Sequence, residues 1–137
     1  MQPDPVRVAD TRAWLVKAAH DLRAGESSLK LEPPLTDDAV FHAQQLAEKA
    51  LKAFLTWHDQ PFRKTHNLVE IGQACVTIDA SLQLVLSRAG RLTEYAWKYR
   101  YPGDPDEPTL PEAKAALVLA HEVYEEILAR LPAEVRP

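Results

Sequence analysis

Two short clusters in this 137-residue chain combine residue types that can do chemistry on an anion. The first is Arg63, Lys64 and His66, in the run Phe62-Arg63-Lys64-Thr65-His66 ahead of a short helical pattern. Cations beside the unpaired N–H groups that open a helix make an anion site. A plainer reading also holds, in which His66 only hydrogen-bonds locally at the helix start. The second cluster is Tyr95-Ala96-Trp97-Lys98-Tyr99-Arg100-Tyr101-Pro102. Arg88, Arg91, Tyr95 and Lys98 recur at spacings of three, four and three, so on one continuous helix they form a single stripe. Cations interleaved with aromatics can hold phosphate and stack a base. The same composition suits a dimer interface, where Tyr, Trp and Arg are enriched, or a cover over the end of the core.

Other chemistries find no footing. There is no Gly-rich phosphate loop, Ser nucleophile elbow, HExxH helix or Cys/His cluster with zinc spacing, so no metal and no cofactor is expected. The paired carboxylates Asp37/Asp38 and Glu125/Glu126 are adjacent on their helices, diverge by about a third of a turn, and read as solvated faces and helix-start charges. Cys75, the only cysteine, sits in an apolar run and reads as a buried inert thiol. The net charge of −4 argues against wholesale electrostatic capture of nucleic acid and leaves room for a local basic patch. No apolar run approaches the roughly 20 residues that a membrane helix needs, and no signal-peptide pattern follows Met1. The expectation is a soluble, cytoplasmic protein.

These clusters must be positioned by helices. Residues 38–58, DAVFHAQQLAEKALKAFLTWH, hold no Gly or Pro and are rich in strong helix formers. Val40, Ala43, Ala47, Ala50, Leu51, Phe54 and Trp57 recur at helical spacing, with Gln45, Glu48, Lys49 and Lys52 on the other side. The small-residue stripe Ala43, Ala47, Ala50 marks a central bundle helix. Residues 1–9 read as a flexible N-terminal arm. Asp10 or Thr11 caps a first helix to about Lys30, with Trp14 or Leu15, Ala18, Leu22, Gly25 and Leu29 inward. Glu32-Pro33-Pro34 ends it, and Thr36 caps the central helix with Asp37 and Asp38 in its first turn. The short link makes the two antiparallel.

Asp59-Gln60-Pro61 breaks the central helix, and Asn67 with Glu70 reads as a capping-box variant opening a short helix to about Val76. A longer helix follows from Asp79 or Ser81 to about Tyr99, with a mild irregularity at Gly90. Pro102, Pro105, Pro108 and Pro111 recur every third residue, the period of polyproline II. That segment is a rigid surface loop or a ligand for a proline-binding domain. Thr109 with Glu112 caps the last helix, to about Leu131, before a C-terminal tail at residues 132–137. With no period-two alternation and no repeats, the expected fold is all-α: an up-and-down bundle of four long helices plus one short helix, forming one domain over residues 10–131.

In this order, WLVKAAHDLRAGESSL, FHAQQLAEKALKAFL, KTHNLVEI and TEYAWKYRYPG resemble the HEPN domain family of prokaryotes over roughly residues 12–131. The resemblance implies a helical bundle, usually a homodimer. It sets the chain among proteins of which many are metal-independent ribonucleases and many are encoded beside a minimal nucleotidyltransferase as a toxin–antitoxin pair. The nuclease members use an Arg followed by four to six residues and a His, brought together by two chains at the dimer interface. There the cation stabilises phosphate charge and the imidazole handles the proton. The family's Arg maps onto Arg100, but Pro105, Asp106 and Glu107 stand where the His belongs. No catalytic residue is therefore assigned. The tyrosine that partner nucleotidyltransferases modify follows that His, so its role does not carry over to Tyr101.

The expectation drawn from the resemblance is a HEPN protein without the intact nuclease motif, binding a nucleotide or a nucleotidyltransferase partner. Arg100, with Lys49 or Arg63, holds phosphate; Tyr101 packs on the ligand or the second subunit, and His66 joins the site. The alternatives are an RNase toxin with a rearranged site, using His66 or His121, and a purely structural dimer module.

Overall fold

A computed structural model describes residues 4–103 and 106–137. It holds five α-helices with short 3₁₀ segments and, among the described residues, no strand. Helix α1 spans Pro5–Lys30 and α2 spans Thr36–Trp57. Helix α3 is Leu68–Ile78, α4 is Gln83–Ala89 and α5 is Leu110–Leu128.

Helices α1 and α2 run antiparallel. Arg7 bonds the Trp57 carbonyl, Lys52 lies over Trp14, Asp21 meets His42, and the Leu35 N–H closes onto Ser28. Helix α2 packs on α1, α3, α5 and the 3₁₀ segment Gly90–Ala96, so it is enclosed rather than one-sided. Ala43, Ala47 and Ala50 are fully buried and admit close neighbours, with Leu46, Leu51, Phe54 and Leu55 beside them. Enclosure also buries residues expected outside: Glu48 and Lys52 are inside, with Gln44.

Several boundaries differ from expectation. The described part of the N-terminal stretch is helix, because Asp4 accepts from the Val6 N–H and Pro5 fits the first turn; Met1, Gln2 and Pro3 lie outside the described residues. Thr36 is not a cap: it is buried within the first turn, and Leu35 precedes the helix with no side-chain cap. The expected C-terminal tail, residues 132–137, packs against the bundle. A 3₁₀ turn, Ala133–Val135, seats Val135 in the core, and Arg136 binds the carbonyls of Leu128 and Leu131.

The expected long fourth helix is composite. A 3₁₀ turn at Ala80–Leu82 precedes α4, and from Gly90 the chain tightens to 3₁₀ through Ala96. At Gly90 a Cβ would lie 2.9 Å from Val69 Cγ2, so the two segments approach on a bare glycine. The tightening brings Thr93 onto the Leu68 N–H and seats Leu92 and Tyr95 in the core. Asn67 and Thr109 cap as expected, the former onto Val69 and Glu70, the latter onto Glu112.

Candidate functional site

Arg100 follows Tyr99, whose φ of +67° is a left-handed conformation uncommon for a side-chain-bearing residue. Beyond that turn the Arg100 side chain lies against the first turns of α2. Its guanidinium carbon is 3.8 Å from the centre of the Phe41 ring, and Nη1 is 3.5 Å from Asp38. A charge-assisted N–H···O bond is about 2.7–2.9 Å long, so Asp38 is a loose neighbour and the ring is the seat. A third of the Arg100 side chain remains exposed. Trp97 and Tyr101, exposed by 56% and 70%, flank it in sequence.

Further along α2 stands a buried polar network that sequence spacing did not reveal. Glu48 is its centre. Oε1 receives Gln44 Nε2 at 3.0 Å and meets His66 Nδ1 at 2.7 Å, while Oε2 receives Lys52 Nζ at 3.0 Å. Burial alone pushes the Glu48 carboxyl up; the bonds from Gln44, His66 and Lys52, with the Lys52 charge, outweigh it and hold the group below the usual glutamate range. Lys52 is also 5.6 Å from the rings of both Trp14 and Phe62. Gln44 bonds the His66 carbonyl as well, so one histidine ties the loop before α3 to α2 twice.

A second polar group joins α1 to α2. The Asp21 carboxylate takes Lys49 Nζ on one oxygen at 2.6 Å and meets His42 Nδ1 with the other at 2.8 Å. Sequence reasoning missed Asp21, His42 and Gln44. The available signal was Gln44, Glu48 and Lys52 at steps of four, a polar ladder on a helix that several neighbours enclose.

Of the five expected ligand-binding residues, Arg100 and Tyr101 are adjacent in the chain, while Lys49, Arg63 and His66 are each paired with an acid elsewhere. Lys49 is bound to Asp21 and lies about 12 Å further along α2 than Phe41, at 1.5 Å per residue. Arg63 forms a two-pronged pair with Glu70, which raises the arginine and lowers the glutamate, first through the hydrogen bonds and then through the charges. His66 is engaged by Glu48. The anion site expected at the start of α3 is filled from within. Asn67 takes the N–H groups of Val69 and Glu70, Thr93 takes that of Leu68, and the Asn67 carbonyl takes that of Ile71.

The cation–aromatic stripe dissolves with the helix that would have carried it. Arg88 clasps Glu122 on α5, and Tyr95 is buried, its hydroxyl donating to Glu112 at 2.9 Å. Burial and then the Glu112 bond push that hydroxyl's pKa up. His121 pairs with Glu125 on α5. Cys75 is buried and its thiol is pushed up to about 12 by burial, the inert state expected. Among the described residues no group of His, Cys, Asp and Glu is arranged to hold a metal ion, and no helix is long and apolar enough to cross a membrane. Pro105, one of the positions where a nuclease histidine would stand, lies outside the described residues.

Comparison with known proteins returned no match among curated proteins and none among solved structures. The model of the HEPN domain matches residues 11–131, the span that holds α2, the Glu48 network and Arg100. With most of its length covered, and with the helical architecture such a domain requires, the chain belongs to the HEPN domain family.

Proposed function

We propose that this HEPN protein binds a nucleotide without cleaving RNA, through Arg100, either as a homodimer or as the binding half of a pair with a minimal nucleotidyltransferase. The observation that carries the reading is the seating of Arg100. Phe41 seats the guanidinium while Asp38 contacts it only at 3.5 Å, and with 32% of the side chain exposed, donors remain for a phosphate. A planar five-donor cation on an aromatic platform suits bidentate phosphate recognition. Cleavage in the family's manner would need an imidazole in register with Arg100, and Pro105, Asp106 and Glu107 supply none.

Trp97 and Tyr101, both exposed and within three residues of Arg100 in the chain, support a protein contact at this segment, with a second copy of the chain or with the nucleotidyltransferase. A thermal-shift screen of nucleotides, with Arg100→Ala alongside, tests the binding. Sedimentation at micromolar concentration tests the dimer, and incubation of the purified protein with RNA tests the absence of cleavage. Stabilisation by at least one nucleotide, lost in Arg100→Ala, with RNA left intact, is the expected result. Arg100-dependent RNA cleavage would transfer the chain to the nuclease class.

A further inference from the structure

His42 is fixed from one side and open on the other. Asp21, with only 8% of its side chain exposed, faces His42 Nδ1 at 2.8 Å and takes Lys49 on its second oxygen. An ionised carboxylate only accepts, so Nδ1 is the nitrogen that carries hydrogen. Lys49 also sits on the Asp21 carboxylate, so an imidazolium is not needed to balance it, and in this tautomer of the neutral imidazole Nε2 is an acceptor. Among the described residues Nε2 has no partner, and 27% of the side chain is exposed. The Phe41 ring stands 5.5 Å from the His42 ring and 3.8 Å from the Arg100 guanidinium carbon. A cation and an unpartnered acceptor thus occupy the same end of α2, two ring contacts apart.

An acceptor cannot bind a phosphate oxygen, which is itself an acceptor; it needs a donor. On a nucleotide whose phosphate sits on Arg100, the donors nearest that phosphate are the sugar hydroxyls, and the base N–H groups lie beyond them. We propose that His42 Nε2 accepts a hydrogen bond from a ribose hydroxyl of the nucleotide held by Arg100, so that the site selects ribonucleotides over their deoxy counterparts. The inference rests on the nucleotide-binding reading and adds the sugar to it. Asp21 and Lys49 are positioning residues here: they fix the tautomer and never touch the ligand.

The test is titration calorimetry of the full chain with AMP, 2′-deoxy-AMP and 3′-deoxy-AMP, and with the corresponding GMP series. One neutral hydrogen bond corresponds to about a three- to tenfold difference in Kd. One deoxy form should bind weaker by that factor, and in His42→Ala the ribo and deoxy forms should bind alike. Equal binding of all three sugars by the wild type overturns this inference and leaves nucleotide binding standing. Failure of every nucleotide to bind overturns both. Should His42→Ala not fold, ¹⁵N shifts of the wild-type imidazole decide: Nε2 should be unprotonated in the free protein and move on adding the ribonucleotide, and a protonated or unmoved Nε2 refutes the proposal.

Discussion

The Arg100 guanidinium carbon lies 3.8 Å from the centre of the Phe41 ring, although the two residues belong to opposite halves of the chain. A cation held over an aromatic face gains about 0.5–2 kcal/mol, more as water is excluded. Phe41→Leu keeps the apolar bulk and removes the π face. It should weaken nucleotide binding by about fivefold, the equivalent of roughly 1 kcal/mol, with little loss of fold stability. Calorimetric Kd values beside a denaturation midpoint separate the two effects.

Asp38 competes with any phosphate for Arg100. Its contact is long and its side chain is 46% exposed, so the pair itself is worth little, about 0–1 kcal/mol. Asp38→Asn removes both the competitor and a like charge beside the incoming phosphate. Binding should tighten a few-fold, most at low salt, as read by the same titration across ionic strength.

Glu48 predicts the acid limb of the stability curve. Its folded pKa lies below the ordinary glutamate value of 4.5. Its contribution is therefore fully present above that value and is lost as pH falls through the lower folded one. Glu48→Gln should flatten this limb, measured as denaturation midpoints between neutral and strongly acid pH. Glu48→Ala at neutral pH leaves Lys52, only 9% exposed, without its partner and should cost about 3–5 kcal/mol. The double variant Glu48→Leu with Lys52→Met should recover most of that loss.

Thr11 Oγ1 is buried on α1 and has no hydrogen-bond partner among the described residues. A hydroxyl taken from water and left unpaired is a net cost. Thr11→Val keeps the shape and should raise stability by about 1 kcal/mol, read from the urea midpoint at unchanged m-value.

What the sequence made legible follows from how local each signal is. The first, central, short and last helices and the Asn67 and Thr109 caps come from spacing along one segment, and they hold. The polar side of α2 was misjudged because periodicity identifies a stripe but not how many neighbours surround the helix; α1, α3 and α5 together leave Glu48 and Lys52 no open side. The irregularity at Gly90 was legible from the glycine itself, but its close approach to Val69, on another helix, was not. The seat of Arg100 on Phe41 and the tie between Asp21 and His42 join distant segments, and no linear spacing encodes them. Arg63 looked available because Glu70 was read as a capping residue rather than as its partner.

The most direct measurement is nucleotide-dependent thermal stability of the wild type against Arg100→Ala. At about a hundred times its Kd, a nucleotide that binds the folded chain should add roughly 2.7 kcal/mol, a rise of several degrees for a domain of this size. The account predicts that rise for the wild type and none for Arg100→Ala at equal ligand. A wild type unmoved by every nucleotide, or an Arg100→Ala variant stabilised as much as the wild type, would contradict it.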